Sequence, residues 1–225
     1  MFYNCAKKDR ILKQIVECQT MFNNIPNIIN QDGVAIYYGN IFDDEQIGQF
    51  YQEILDKINW ENERIIMFGK EIVTKRKVAF YSDPNISYTY SSKTKNGIKW
   101  TPKLLEIKQL IENITQSKYN ACLLNLYHNG LESMGWHSDD EKEIVANSSI
   151  ASLSLGTERK FSFKHKQTKE TVSILLENGS LLEMKGSIQQ NWWHALPKTT
   201  KIHAPRINLT FRQMYSDNPN KWNEK

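Results

Sequence analysis

Residues 205–213, near the C-terminus, read PRINLTFRQ, and polar and apolar side chains alternate along this stretch. Alternation with a period of two is typical of a β-strand, in which successive side chains point to opposite faces of the sheet. Ile207, Leu209 and Phe211 would therefore share an apolar face. The opposite face would carry Arg206, Asn208, Thr210 and Arg212.

Two interpretations of this polar face are open. Most alternating strands lie in a sheet with one face in water, which would leave the four polar side chains solvated. The alternative is a buried anion site, because the planar guanidinium of arginine presents a fork of donors that fits carboxylate or phosphate. The strand pattern does not choose between them, so the rest of the chain has to decide.

Composition narrows the class of protein. A chain of 225 residues is long enough for one domain with a substantial core. No apolar run approaches the length that crosses a bilayer, and the N-terminus lacks the apolar stretch of a secretory signal. The three unclustered cysteines favour a reducing compartment over a disulfide framework or a cysteine-based zinc site. We therefore expect a protein that does not bind a membrane and that acts in the cytoplasm, or in the nucleus if the source is eukaryotic. We also expect it to be a monomer.

Basic residues are bunched although the net charge is only +4. Clusters occur at residues 75–77 and 159–169. Such clusters can follow a phosphate backbone, or they can be ordinary solvated loops, which composition alone favours.

The apolar spacing predicts helices in the first half of the chain and strands in the second. Residues 34–38 resemble a short strand, and an apolar stripe at spacings of three and four follows an N-cap at Asp43 or Asp44. Thr101 and Pro102 open a second predicted helix. After residue 120, short apolar runs are separated by glycines and polar clusters. This pattern predicts an α+β fold in which helices cover an antiparallel double sheet.

The stretch GWHSDDE, residues 135–141, raises the question of a metal. His137 and Asp139 are two positions apart, so in an extended segment their side chains project to the same side. An imidazole beside a carboxylate is two thirds of the facial triad that holds iron(II) in non-haem oxygenases. The pair is a weak signal until a third ligand is found.

The third ligand must come from a distant histidine. We select His194, in NWWHALP, because it precedes the polar-faced final strand by a dozen residues; the alternative is an ordinary core histidine. A facial triad leaves positions open for a co-substrate, and a 2-oxo diacid that chelates the metal needs a cationic clamp at its other end. The strand with Arg206 and Arg212 supplies that clamp, so we expect its polar face to point inward, at 2-oxoglutarate.

The order NLY, WHSDDE, SLSLG, a histidine before LP, and PRINLTFR resembles the AlkB family of Fe(II)/2-oxoglutarate dioxygenases. The chain looks most like the branch that repairs alkylated bases in double-stranded DNA, and the match is closest from about Phe68 to Met214. The resemblance implies a double-stranded β-helix (jelly-roll) core of antiparallel strands flanked by helices. It implies a dioxygenase domain over residues 31–215, an N-terminal extension over 1–30, and a C-terminal tail over 216–225.

The resemblance also implies roles for named positions. Iron(II) would be bound by His137, Asp139 and His194. The co-substrate 2-oxoglutarate would be held by Asn125, Tyr127, Arg206, Asn208, Thr210 and Arg212. The damaged DNA would be contacted by Met67, Phe68, Gly69, Arg76, Tyr88, Tyr90, Asp140 and Glu141.

The implied activity is oxidative demethylation of 1-methyladenine and 3-methylcytosine by base flipping. It would consume O2 and 2-oxoglutarate and release succinate, CO2 and formaldehyde. Phe68 on its glycine-containing turn would fill the gap left by the extruded base, and Tyr90 would stack on that base. Alternatives are the same chemistry on RNA or single-stranded DNA, and a non-catalytic nucleic-acid-binding module. Ser138 and the short segment between Phe163 and Val172 depart from the family pattern, which weakens the expectation of duplex preference.

Overall fold

The computed structural model describes residues 25–67, 70–90 and 93–217, with the backbone alone at 65–67, 88–90 and 93–95. These ranges contain three helices: α1 (Asp44–Lys57), α2 (Pro102–Thr115) and α3 (Ile188–Asn191). The strands in the first half of the chain are β1 (Val34–Asn40), β2 (Glu61–Met67), β3 (Lys70–Ser82), β4 (Ser87–Tyr90), β5 (Lys93–Asn96) and β6 (Ile98–Lys99). Those in the second half are β7 (Ala121–Tyr127), β8 (Met134–His137), β9 (Ile150–Gly156), β10 (Arg159–His165), β11 (Thr171–Leu176), β12 (Ser180–Lys185), β13 (Trp192–Leu196) and β14 (Arg206–Arg212).

The two long helices begin where the sequence predicted. Asp43 caps α1 through a reciprocal pair of bonds: its carboxylate accepts from the Gln46 N–H at 2.8 Å, and its own N–H donates to the Gln46 side chain at 3.2 Å. Thr101 caps α2 by accepting from the Leu104 N–H at 3.2 Å. Both helices lay their apolar stripes on the same face of a large sheet.

The strands form two main sheets. The larger one has eight strands in the order β1-β12-β9-β14-β7-β3-β2, with β6 paired in parallel to β3. The smaller one has four strands in the order β11-β10-β13-β8, and β4 and β5 form a separate hairpin. All other pairings are antiparallel, so the predicted jelly roll flanked by helices is confirmed.

Strand β14 lies in the middle of the large sheet, between β7 and β9. All seven of its residues are buried. Its apolar face, with Ile207, Leu209 and Phe211, packs in the core beneath α1 and α2. The interpretation of this stretch as a half-solvated strand is therefore wrong, because both of its faces are covered.

A second core fills the space between the two sheets. It includes Phe163 and Trp192 from the small sheet and Leu182 and Met184 from the large one. Both sheets are thereby held face to face at one end, which leaves room for a cavity at the other.

The packed fold extends slightly beyond the expected domain boundaries. Ile29 is 2% exposed and belongs to the second core, and the Ile28 N–H donates to Ala35 O at 2.9 Å. At the other end, the Ser216 hydroxyl donates to Asn85 O at 3.2 Å. Residues 1–24 and 218–225, the rest of the expected extension and tail, lie outside the described residues. Within the described ranges, none of the helices combines the length and apolarity that crossing a bilayer requires.

Candidate active site

Strand pairing brings His194 next to His137 and Asp139, which lie more than fifty residues earlier in the sequence. In the pairing of β8 with β13, His194 lies opposite His137, and the two ring centroids are 4.2 Å apart. Asp139 follows just after β8, and its Oδ1 lies 3.8 Å from Nε2 of His137. The potential ligand atoms of all three residues lie within 4.8 Å of one another, which is a spacing that could hold one metal ion.

The imidazole of His137 is oriented by its own strand. Its Nδ1 lies 2.9 Å from the carbonyl oxygen of Gly135. A carbonyl oxygen can only accept a hydrogen bond, so Nδ1 is the donor, and Nε2 is the ring nitrogen left to face the other two residues. In histidines that bind metals, a hydrogen bond from the ring nitrogen that does not bind the metal fixes the tautomer.

Asp139 is buried but stays ionised. Burial raises the pKa of this carboxyl, yet the Arg212 guanidinium and the two nearby histidines outweigh it and hold the pKa at about 2. The Arg212 Nη2 lies 3.0 Å from the Asp139 Oδ1. The Asp139 N–H donates to the side chain of Gln189 in α3 at 2.9 Å, which fixes the backbone of this turn.

His194 is held in the neutral form. Burial, with His137 adding to it, lowers the pKa of this imidazole to about 3, against the opposite effect of Asp139. Phe161 stacks on the ring with centroids 5.5 Å apart. A neutral imidazole beside an ionised carboxylate is the protonation state that a divalent metal needs in its ligands.

The polar face of β14 points into the same space. The Arg206 guanidinium is 3% exposed and donates to the Ser154 hydroxyl at 2.9 Å. Burial lowers the pKa of Arg206 to about 10, and the neighbouring Tyr127 opposes this shift. Among the described residues, neither Nε of Arg206 nor Oδ1 of Asn125 has a hydrogen-bond partner although both atoms are buried. Buried polar atoms of this kind cost about 1–3 kcal/mol each unless a ligand supplies a partner.

Asn208 and Thr210 are bonded within the sheet. The Thr210 hydroxyl donates to Oδ1 of Asn208 at 3.1 Å, and the Asn208 amide nitrogen donates to the Ser152 hydroxyl at 2.8 Å. These bonds keep the polar face of β14 in one conformation between β7 and β9.

One cavity of about 600 Å³ joins the two sets of residues. It lies between the sheets, and its size is in the range of small-molecule sites. The residues predicted for the metal and the co-substrate all line it: His137, Asp139, His194, Asn125, Tyr127, Arg206, Asn208, Thr210 and Arg212. The fit with an iron(II) and 2-oxoglutarate site is therefore good in donor type, in charge and in the buried atoms that lack partners.

Arg76, which was expected to contact DNA, lies in the wall of the cavity. This side chain is 5% exposed and forms an ion pair with Glu63 on the neighbouring strand. Its Nη1 also donates to the Tyr127 hydroxyl at 3.3 Å. This guanidinium ties β2 and β3 to β7, and its predicted contact with DNA stays a prediction.

The remaining residues predicted to contact DNA are only partly described. Glu141 lines the cavity, whereas Asp140 is exposed and is not part of the lining. Met67 ends β2 and Tyr88 and Tyr90 lie on β4, where the backbone alone is described. Phe68 and Gly69 fall outside the described residues.

Sequence reasoning missed several contributors to the site. The alternating run SLSLG indicates that Ser152 and Ser154 share a polar face of a strand. The sequence did not show that this strand pairs with β14, so the two serines were not assigned to the site. Glu63 gave no signal, because its pairing with Arg76 depends on the register of β2 against β3.

Comparison with known proteins agrees with this geometry. The chain matches the family model described as "2OG-Fe(II) oxygenase superfamily" over residues 34–212. It is 34% identical to "DNA oxidative demethylase ALKBH2" of Homo sapiens over 197 residues, which cover 83% of this chain and 76% of that protein. It is 36% identical to "Alpha-ketoglutarate-dependent dioxygenase alkB homolog 3" of Bos taurus over 177 residues, which cover 74% of this chain and 61% of that protein. A solved structure described as "The structure of OsALKBH1" has a similar fold, with a TM-score of 0.57, 14% identity, and coverage of 82% of this chain and 98% of that one.

Proposed function

Because this chain belongs to the AlkB family of 2OG-Fe(II) oxygenases, we propose that it removes alkyl groups from the bases of DNA by oxidation. Fe(II), 2-oxoglutarate and O2 are the cofactor and co-substrates of the enzyme. The observation that carries the proposal is a single cavity lined both by the His-Asp-His group and by the buried arginines of β14, Arg206 and Arg212.

The proposed iron ligands are His137, Asp139 and His194. The protonation states of Asp139 and His194 suit a divalent cation, and Gly135 orients the imidazole of His137. Three protein ligands on one side leave the other coordination positions open for 2-oxoglutarate and O2. Arg212, bonded to Asp139, holds the carboxylate in place and balances its charge in the buried site.

The proposed co-substrate clamp is the polar face of β14 with its neighbours on β7. Arg206 would receive the distal carboxylate of 2-oxoglutarate, because its buried Nε has a donor to offer. Tyr127 lies against this guanidinium, with the Arg206 Cζ 5.6 Å from the ring centroid, and limits its movement. Asn125, Asn208, Thr210 and Arg212 complete the wall that would position the keto acid.

Bound iron, with 2-oxoglutarate and O2, supplies the oxidation of the alkyl carbon next to the base nitrogen. The expected products are succinate, CO2, formaldehyde and the repaired base. The role of this chain is to position the alkyl group and to exclude water and competing reductants. Phe161, Leu196 and Met134 form an apolar wall of the cavity and contribute to that exclusion.

The proposed substrates are 1-methyladenine and 3-methylcytosine in DNA, extruded from the duplex into the cavity. A methylated ring of this kind is cationic, so the carboxylate of Glu141 in the lining favours it. Met67, Phe68 and Gly69 would fill the gap in the duplex, and Tyr88 and Tyr90 would contact the extruded base. Asp140 would act outside the cavity, near the same base.

A demethylation assay tests the proposal. Purified protein with Fe(II), 2-oxoglutarate and a methyladenine-containing oligonucleotide should form succinate and formaldehyde in equal amounts. His137→Ala should lower the rate about 100-fold or more, since it removes a metal ligand. His128→Ala is the matched control, because this exposed histidine contacts Glu132 away from the cavity and its loss should leave the rate unchanged. Wild-type protein that forms no succinate would refute the function.

A single-stranded or RNA substrate is the second candidate. The departures from the family pattern at Ser138 and in the short segment between Phe163 and Val172 favour it, because they reduce the basic surface expected to face a duplex. Turnover on matched duplex and single-stranded DNA and RNA separates the two. Phe68→Ala should reduce turnover on the duplex alone, since only a duplex leaves a gap for a wedge to fill.

We also propose that residues 31–215, with the short flanking segments that pack on them, act as one monomeric catalytic domain. A nucleic-acid substrate places its expected action in the cytoplasm, or in the nucleus of a eukaryotic source. Size-exclusion chromatography with light scattering tests the monomer.

A further inference from the structure

Two tryptophans lie on the outer face of the small sheet, directly behind the candidate metal ligands. Trp136 precedes His137 on β8, and Trp193 precedes His194 on β13. Successive side chains of a strand point to opposite faces, so both indoles point away from the cavity. Trp136 is 48% exposed and Trp193 is half-buried. Two large aromatic side chains on one outer face are informative, because exposed apolar patches mark interaction sites.

A lysine lies over each ring. The Lys164 ammonium is 6.0 Å from the Trp136 ring centroid, and the Lys169 ammonium is 5.2 Å from that of Trp193. Lys164 is also the cross-strand partner of Trp193 in the pairing of β10 with β13. Rings and ammonium groups therefore interleave on one surface, where each lysine sits within cation–π distance of an indole.

This surface is positively charged without compensation from its own sheet. The four strands β8, β10, β11 and β13 are fully described, and none of their outward-facing residues is acidic. These outward residues are Trp136, Lys160, Ser162, Lys164, Thr171, Ser173, Leu175, Trp193 and Ala195. Lys164 and Lys169 form no ion pair with an acidic side chain among the described residues, and the Lys169 ammonium donates only to the carbonyl oxygen of Lys166. Flat aromatic faces beside such cations fit a partner that combines planar rings with regularly spaced negative charge.

We propose that Trp136, Trp193, Lys164 and Lys169 form a platform that binds an unpaired segment of a nucleic-acid strand. Its bases would stack on the indoles and its phosphates would lie beside the ammonium groups. The proposal rests on the nucleic-acid substrate of the proposed function and adds a contact outside the cavity. Since β8 is the edge strand of its sheet and also lines the cavity through His137, one strand can reach both faces around that edge.

Binding of an unmodified single-stranded oligonucleotide of about 20 nucleotides, followed by fluorescence anisotropy, tests the platform. Trp136→Ala should weaken the affinity about 5- to 100-fold, the loss expected for one stacked base. Leu175→Ala is the matched control: this residue is also 48% exposed and lies on the same face, but on the opposite edge strand. Its affinity should equal that of the wild type. Lys164→Gln should lower the slope of log affinity against log salt by about 0.7.

Trp136→Phe separates stacking from folding, because it keeps a ring and should keep most of the affinity. A Phe variant as weak as the Ala variant, or equal losses in Leu175→Ala and Trp136→Ala, would overturn the platform. So would an affinity that is unchanged in Trp136→Ala, which would leave a protein partner as the occupant of this face. The assay needs neither iron nor a damaged base, so its outcome is independent of whether the chain demethylates DNA.

Discussion

At the scale of single residues, the site depends on the type of cation at position 206. Arg206 is buried beside Ser154 and Tyr127, and its planar fork can hold a carboxylate through two bonds. A lysine at this position would keep the positive charge but could not form the two parallel hydrogen bonds of a guanidinium. Arg206→Lys should therefore raise the KM for 2-oxoglutarate about 10- to 100-fold, the effect of losing one hydrogen bond to a charged group. Initial rates of succinate formation against co-substrate concentration measure it.

Lys57→Arg serves as the control for this substitution, since this lysine lies on α1 with 68% of its side chain exposed and is not among the residues that line the cavity. Its KM for 2-oxoglutarate should stay within about twofold of the wild type. An unchanged KM in Arg206→Lys would mean that the co-substrate carboxylate is held elsewhere.

At the scale of elements, one buried carboxylate joins the end of α2 to the start of β7. Glu112 accepts from the Tyr119 N–H at 2.9 Å and pairs with Lys108 at 3.0 Å and Lys118 at 3.1 Å. Burial opposes ionisation, but these donors outweigh it and lower the pKa of Glu112. A carboxyl with a lowered folded-state pKa stabilises the fold above its unfolded pKa, about 4.3, and that contribution disappears as pH falls through the folded pKa.

Glu112→Gln should therefore lower the free energy of unfolding at about pH 7 by about 1–3 kcal/mol. The difference from the wild type should shrink at low pH, as the pH falls from the unfolded pKa of about 4.3 through the lower pKa of the folded carboxyl. Urea denaturation at both pH values measures this. Glu106→Gln on the same helix removes an exposed pair with Lys103 and should change stability by less than about 0.5 kcal/mol. A pH-independent difference for Glu112→Gln would contradict the ionised role.

At the scale of the whole molecule, the site is a seam between two sheets. The small sheet provides His137 and His194, and the large sheet provides β14. Ligands that bridge the seam bind only the folded state, so they should stabilise the entire domain. Mn²⁺ with 2-oxoglutarate, each at about 100 times its Kd, should raise Tm by about 5–10 °C. Differential scanning fluorimetry under anaerobic conditions measures this shift in Tm.

His194→Ala should abolish most of that shift, since it removes the ligand from β13. Leu175→Ala, on the outer face of the same sheet, should retain it. Equal shifts in His194→Ala and the wild type would place the metal outside the seam.

The sequence by itself determined the features that depend on spacing along the chain. Each of these features depends only on residues that are close in the sequence. They are the alternation in PRINLTFR, the apolar stripes and caps of α1 and α2, and the pair His137 and Asp139. Their period follows from backbone geometry, so it can be read without knowing the neighbours. His194 was selected by its position before the final strand, and the family resemblance added Asn125 and Tyr127.

Only the tertiary structure decided what each side chain faces. It placed His194 opposite His137, made Ser154 the partner of Arg206, and turned Arg76 inward to Glu63. It also put Trp136 and Trp193 on one surface with lysines above their rings. These contacts join residues that are separated by up to dozens of positions, and they depend on strand register and sheet packing. If the register between two paired strands shifted by one residue, the side chains of the shifted strand would point to the opposite face of the sheet.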